Sequence, residues 1–382
     1  MKIIHTSDWH IGRQFHSVSL LDDQKYVLDQ IVGQIKAHDI DALVIAGDIY
    51  DRSVPPAVAV ELLDEVFNTI INELHVPILM ISGNHDSASR LSFGSRHLSK
   101  AGLYILGKIS DVDQPIYIEG SSGKKIAFYG IPYNDAEEVR NKFKIKVSSY
   151  DEAHQFLVKK IKAVMIEEDI NILISHCFIN GSAESDSERP LSLGGADGVS
   201  YKGLEEFNYV ALGHLHGPQS RGQEHIRYSG SILKYSFSEQ FHKKSIALVE
   251  FDSDGKAVIE LLPLKAKRNM RIIEGELDQI LEEGLHDPEF EDYLLIRLTD
   301  THAILDAMGK LREVYPNVLH LEKTGIMSLG ETQERGSEML KRKPMDMFLD
   351  FYSQVSGNKM THEQNIALEK IIKNLDNEEL RS

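Results

Sequence analysis

Ala42-Leu43-Val44-Ile45-Ala46-Gly47-Asp48-Ile49-Tyr50-Asp51-Arg52 sets a short apolar run against a glycine and a charged tail. Four apolar residues bounded by a turn signal read as a strand buried on both faces. The charged residues arrive where that strand should end. The same juxtaposition recurs along the chain: Ile3-Ile4 precedes Asp8-Trp9-His10, and Ile78-Leu79-Met80-Ile81 precedes Gly83-Asn84-His85-Asp86. Ile172-Leu173-Ile174 precedes Ser175-His176, and Val210-Ala211-Leu212 precedes Gly213-His214-Leu215-His216. Ile126-Ala127-Phe128-Tyr129 and Ser245–Phe251 add further strands, and helical patterns cover 21–38 and 57–74, the second after Pro55-Pro56. In open α/β sheets, ligands sit at the carboxyl ends of the strands. The polar motifs therefore mark a candidate site.

A lone Asp-x-His is common by chance, and an isolated histidine after a strand is more often a hydrogen-bonded core residue. Motifs in this order, each behind a strand, are a different matter. Aspartate oxygen, imidazole nitrogen and one neutral amide oxygen suit Mn²⁺, Fe²⁺ or Zn²⁺, and are too nitrogen-rich for a typical Mg²⁺ or Ca²⁺ cage. Gly47, Gly83 and Gly213 allow sharp turns and close backbone approach beside the candidate ligands.

The chain of 382 residues, with 42% hydrophobic and 26% charged residues, has the profile of a soluble globular protein of two or three domains. Its single cysteine, Cys177, excludes an internal disulfide framework. Polar residues enter immediately after Met1 and no apolar run approaches the roughly 20 residues of a membrane span. A cytoplasmic, nucleoid-associated protein without signal peptide is expected. The formal charge of −17 offers no overall basic footprint. The basic clusters Lys142/Lys144/Lys146, Lys243-Lys244 and Lys265/Lys267/Arg268 read first as solvated surface.

Near 265–271 the chain changes character. Residues 1–268 are expected to form the main domain, and 269–325 a small α/β cap with strands at 270–276, 293–299 and 318–322 and a helix at 303–315. Residues 326–343 read as a linker. The segment 344–382 offers two helices, Phe348, Phe351, Tyr352 and Val355 lying on one face of the first, and Leu368, Ile371, Ile372 and Leu375 on one face of the second. Thr361 and Gln364 form a capping box for the second helix.

The motifs resemble those of the calcineurin-like metallophosphoesterase superfamily over about residues 1–250. The resemblance implies an α/β (α+β) fold: a β-sandwich flanked by helices, with the cap domain and the helix pair appended. It also implies two metal ions, one held by Asp8, His10, Asp48 and His216, the other by Asp48, Asn84, His176 and His214. His85 would then stabilise the transition state or protonate the leaving oxygen, Asp51 would orient His85, and Arg52 would bind phosphate. A plain Asp51–Arg52 ion pair is the structural alternative. Manganese is the expected metal and magnesium the second candidate.

Ser185-Asp186-Ser187-Glu188-Arg189, Gly194-Gly195-Ala196-Asp197 and the run Tyr228–Glu239 narrow the resemblance to the bacterial nuclease subunits of SbcCD-type complexes. That family implies exonuclease action on double-stranded DNA ends and endonuclease action on single strands and hairpins, in end processing, recombination, repair and replication. It implies a homodimer within a heterotetramer, joined to an SbcC-type SMC-like ATPase through the C-terminal helices. A calcineurin-like phosphatase or small-molecule phosphodiesterase would use the same motifs, and an adaptor with a decayed site is the non-enzyme reading. The complete ligand set argues against decay. Gly102–Lys108 mimics half of a phosphate-binding loop, but Ile109 stands where a hydroxyl is needed and Leu103-Tyr104-Ile105 reads as strand, so no nucleotide is expected on this chain. Cys177 beside His176 reads as a buried small residue, and Trp9 either shields the site or stacks on a base.

Overall fold

The computed structural model describes residues 1–119, 125–189, 191, 198–302, 304–324, 345, 348–349, 352 and 360–379. The chain divides into two compact units, Met1–Asn269 and Met270–Ser382.

Among the described residues the first unit builds two six-stranded sheets. One runs in the order Ala257–Pro263, Ser245–Phe251, Lys2–Thr6, Ala42–Ile45, Ile78–Met80, Leu103–Ile105. The other runs Gln219–Arg221, Gln223–Tyr228, Tyr209–Gly213, Ile170–His176, Lys125–Ile131, Ile116–Glu119. The central strands are parallel in both: Thr6 lies opposite Ile45, and Gly213 opposite His176. Parallel neighbours end on the same side, so the sequence motifs that follow them emerge together.

Side-chain alternation assembles the sandwich. Ile3, Val44 and Leu79 from the first sheet meet Phe128, Ile172 and Ala211 from the second in one buried cluster. The intervening residues Ala127, Tyr129, Leu173, Val210 and Leu212 face the other way, packing with Val139, Leu157, Val158 and Ile161 of two helices, Ala136–Phe143 and Tyr150–Lys162. With both faces covered, the strands carry no polar alternation, which is why they read as unbroken apolar runs. Each fully buried side chain of this kind contributes about 1.5–3 kcal/mol.

Helix Leu21–His38 matches its sequence pattern. The expected helix 57–74 ends at Asn68 and continues to Glu73 as a π-helical turn. The β-branched run Thr69-Ile70-Ile71 crowds the preceding turn, and the backbone widens, with Leu74 N–H donating to the Thr69 carbonyl at 3.1 Å. Helices Ala136–Phe143 and Tyr150–Lys162 were not legible as periodic patterns. Their start signals are: Asp135 accepts from Glu138 N–H at 2.7 Å and Ser149 from Glu152 N–H at 3.1 Å. Leu103–Ile105 is a strand, so the glycine–lysine mimicry there is not a phosphate loop.

The second unit contains a three-stranded parallel sheet, Met270–Gly275, Tyr293–Leu298 and Val318–Lys323. Helix Leu277–Gly284, absent from the sequence reading, and helix Ala307–Val314, shorter than expected, bury Leu277, Ile280, Ala307 and Leu311 with Leu294, Ile296 and Val318. The Asp306 side chain caps the second of these helices at Gly309 N–H, 3.1 Å. The linker 326–343 lies outside the described residues, as do Phe351, Val355 and the Leu375 side chain. Met345, Phe348, Leu349 and Tyr352 are helical, and a helix spans His362–Glu379. Its capping box forms in both directions: Thr361 N–H donates to Gln364 Oε1 at 2.8 Å, and Gln364 N–H to Thr361 Oγ1 at 3.3 Å. No described helix is long and apolar enough to cross a membrane.

His154, on helix Tyr150–Lys162, is buried with its Nε2 3.0 Å from Ser175 Oγ. Burial pushes its pKa down to about 4. Below about pH 6.5 the unfolded chain gains a proton here that the folded protein refuses until about pH 4. This histidine therefore subtracts stability as pH falls through that window. His154→Gln, which keeps a hydrogen-bonding group, should gain stability relative to the parent between pH 6.5 and 4 in urea unfolding with chelator. A difference that stays constant with pH would contradict it.

Candidate metal centre

The ends of the parallel strands carry the motifs in loops that lie side by side. Asp8 N–H donates to the Gly47 carbonyl at 3.1 Å, His10 N–H to Asp48 at 3.0 Å and Ile11 N–H to Ile49 at 3.0 Å. Turning the side chains inward demands left-handed backbone: Asp8, His10, Asp48 and His214 have φ of 52°, 46°, 50° and 106°. Such conformations cost on the order of 1–3 kcal/mol each outside glycine. Gly213 brings the second sheet against the first, where a Cβ would stand 1.9 Å from the Ala46 carbonyl oxygen. Gly83 is equally constrained, since a Cβ there would meet Asp48 Oδ1 at 2.1 Å.

The side chains converge on overlapping clusters whose ligand atoms lie within 4.8 Å of one another: Asp8, His10 and His216, and Asp8, Asp48 and His176. A third group, His10, Asp51 and His85, adjoins the first. Asp48 Oδ2 is 3.6 Å from His10 Nε2 and 3.6 Å from His176 Nε2, standing between the two. His10 Nε2 and His216 Nε2 are 3.1 Å apart, and His176 Nε2 is 2.9 Å from Asn84 Oδ1. Two nitrogens bound at about 2.1 Å to one ion stand roughly 3.0–3.4 Å apart, so these spacings suit shared ligation. The His214 ring centroid lies 5.5 Å from that of His176, and its backbone N–H donates to both Asp8 oxygens at 3.0 and 3.1 Å. It joins none of these clusters among the described residues.

The electrostatics call for a cation. Burial, with the Asp48 charge adding to it, pushes the Asp8 carboxyl well above its ordinary range. Burial raises Asp48 to about 6, and raises Asp86 to about 7 with the Asp48 charge adding. Burial likewise pushes His10 and His214 down, and His176 to about 4. Neutral imidazoles with lone pairs beside carboxylates disfavoured as anions fit divalent cations, which would restore the ionised carboxylates.

His85 sits at the rim of the site, its ring centroid 4.6 Å from that of His10. Its Nδ1 is held 2.8 Å from the backbone carbonyl of Asp51, not by the Asp51 carboxylate. That carboxylate instead pairs with Arg13 at 3.2 Å and lies 3.8 Å from His10 Nδ1. Arg52 is 63% exposed, with Nε 3.7 Å from Asp51 Oδ2. Trp9 is wholly buried, donates to Thr6 Oγ1 at 3.0 Å and packs edge-on against Phe67, so it does not stack on a base. Cys177 is buried, and burial raises its thiol to about 12, which removes it as a nucleophile.

Sequence reasoning missed the supporting residues. Arg13 lies over the Tyr235 ring, and Gln24 donates to the carbonyls of Trp9 and His10 at 3.1 and 2.7 Å. The Asp86 carboxylate accepts from the backbone N–H of Ile49, Tyr50 and Gly83 at 3.1, 3.0 and 2.9 Å, clamping the two ligand loops together. Asp86 was legible only as the end of Gly83-Asn84-His85-Asp86. The others carry no local signal.

Residues 1–218 match the Calcineurin-like phosphoesterase family, and residues 266–356 match the family described as Type 5 capsule protein repressor C-terminal domain. A Staphylococcus epidermidis protein, named as the SbcD component of the nuclease SbcCD, is 36% identical over 379 residues, covering 97% of this chain and all of that one. A Staphylococcus saprophyticus protein of the same name is 34% identical, covering 97% of this chain and 98% of the other. A dimetal phosphatase from Danio rerio covers 70% of this chain and 99% of its own at 12% identity, with a TM-score of 0.41.

Asp86→Ala should leave three backbone donors without their acceptor. Unsatisfied buried donors cost about 1–3 kcal/mol each, so unfolding in the presence of manganese should require at least about 2 kcal/mol less. Stability unchanged in that variant would mean that the clamp does not hold the loops.

Proposed function

The chain belongs to the calcineurin-like phosphoesterases and to their SbcD nuclease branch, and on that premise we propose that it cuts DNA at a centre of two divalent metal ions. Membership makes it a metal-dependent hydrolase of phosphodiester bonds. The observation that carries the finer reading is the Asp48 carboxylate, 3.6 Å from a histidine on either side. In this reading Asp8, His10, Asp48 and His216 hold one ion, and Asp48, Asn84, His176 and His214 the other, manganese being preferred. When bound, such a pair supplies an activated water and charge that offsets an in-line displacement at phosphorus.

The chain's own residues do the rest. The Asp51 carbonyl fixes the His85 ring through Nδ1, leaving Nε2 as the atom for the substrate. A protonated Nε2 gives its proton to the leaving alcohol oxygen. Asp51 thus positions His85 through its backbone, while its carboxylate restrains Arg13. The exposed Arg52 guanidinium binds a phosphate of the DNA strand. The net charge of −17 is lowered locally when the carboxylates bind cations.

His85→Ala should keep both manganese ions and lose about 10²–10⁴-fold in cleavage of blunt duplex and hairpin DNA. Asp48→Ala should lose metal and activity together. A His85→Ala protein empty of metal would overturn these roles, and parent enzyme that hydrolyses only a chromogenic phosphodiester would favour a phosphatase.

For the partner, Phe348, Ile366 and Ile371 leave 42%, 55% and 56% of their surface exposed, while Leu368 is buried. A lone helix of 18 residues is marginal in water. We infer that residues 344–382 grip an SbcC-type ATPase, within a heterotetramer containing two copies of this chain. Deleting them should abolish co-purification with that ATPase and leave manganese binding intact. Undiminished complex formation would place the contact elsewhere.

A further inference from the structure

The segments Ser185–Arg189 and Tyr228–Glu239 narrow the family but carry none of the ligands assigned above. They meet behind one of them. His216 Nδ1 is 2.5 Å from Ser187 Oγ, which is 2.5 Å from Glu239 Oε1. Glu239 Oε2 is 2.5 Å from Lys244 Nζ, and Lys244 also donates to the His216 carbonyl at 2.8 Å and to Ser231 Oγ at 2.8 Å. The His216 N–H donates to Glu188 Oε1 at 2.8 Å. Ring, N–H and carbonyl of this one histidine are all gripped, and Ser187, Glu239 and Lys244 are buried.

The order of donors along this chain is forced. A lysine ammonium only donates and an ionised carboxylate only accepts. The Ser187 hydroxyl hydrogen therefore goes to Glu239, its lone pair takes the His216 Nδ1–H, and Nε2 is left with a lone pair 3.1 Å from His10 Nε2. The other ligating histidines lack this support. His176 Nδ1 rests on the neutral Ala46 carbonyl at 2.9 Å, and the carboxylate nearest His10 Nδ1 stands off at 3.8 Å. Negative charge delivered through a hydrogen bond to an imidazole raises its basicity and fixes its orientation. A buried Lys–Glu pair is costly to desolvate and often replaceable by apolar residues without loss of stability. Its presence behind a ligand points to a task other than holding the fold.

We propose that Ser187 and Glu239, backed by Lys244, are positioning residues that lock His216 for ligation and make the Asp8/His10/His216 position the more tightly occupied of the two. This rests on the two-metal reading of the same site. The relay makes the centre unequal: one ion is resident, and the other exchanges more readily.

The test is manganese binding to the full chain, by calorimetry and by electron paramagnetic resonance of free Mn²⁺. Thermal unfolding in chelator confirms that each variant is folded, and DNA cleavage is followed in parallel. The parent should bind two ions in two affinity classes. Ser187→Ala should weaken the tighter class by about 10–100-fold and leave the weaker unchanged, and Ser187→Thr, which keeps the hydroxyl, should restore it. The paired change Glu239→Gln with Lys244→Met, which removes both buried charges together, should weaken the same class. Parental isotherms in Ser187→Ala, or a loss confined to the weaker class, overturn the inference while leaving the nuclease reading intact. A parent protein that binds no manganese overturns both.

Discussion

A single buried carboxylate, Asp48, reaches toward histidines supplied by two different sheets, and the geometry of the first unit is arranged so that it can. Its backbone is left-handed, with φ of 50°, and its Oδ1 accepts the His85 N–H at 2.8 Å. Packed against it is Gly83, where no side chain would fit. A carboxylate so buried is disfavoured as an anion unless cations stand beside it. The sandwich brings strand ends together, the glycines let the loops touch, and the folded chain stores the strain and the charge mismatch that metal binding relieves. Fold and chemistry are coupled through this residue.

Much of this was legible because both of its causes are local. Strands covered on both faces must be apolar throughout, so Ala42–Ile45 and Ile172–Ile174 announce themselves. Ligands must follow such strands closely, so Asp8, Asp48, Asn84, His176 and His214 are visible as the first polar side chains after them. Helix Tyr150–Lys162 escaped a periodicity reading but not a capping one, since Ser149 and Glu152 stand in the right places.

What stayed hidden is whatever depends on which atom of a residue is used, or on partners far along the chain. Asp51 was expected to orient His85, and its contact is made by the backbone carbonyl, which any residue could supply. Arg13 reaches Asp51 across 38 positions, and Ser187 reaches Glu239 across 52. No spacing rule connects such pairs. Helix Leu277–Gly284 was missed because its apolar face is brief, Leu277 and Ile280 carrying most of it.

The span between the ligands also bears on how the protein is made. His10 and His216 face one another across 206 positions of sequence, and strand Lys2–Thr6 is flanked by Ser245–Phe251. At about 5–20 residues per second of synthesis, on the order of 10–40 s separates the first acidic ligand from the last histidine. During that interval Asp8, His10 and Asp48 exist as an acidic, incomplete half-cradle at the edge of an unfinished sheet. Metal cannot be captured in its final geometry by the nascent chain, so loading is a late event that follows closure of the sandwich. The supply of free ion in the compartment at that moment, more than intrinsic preference alone, then decides which metal the finished molecule carries.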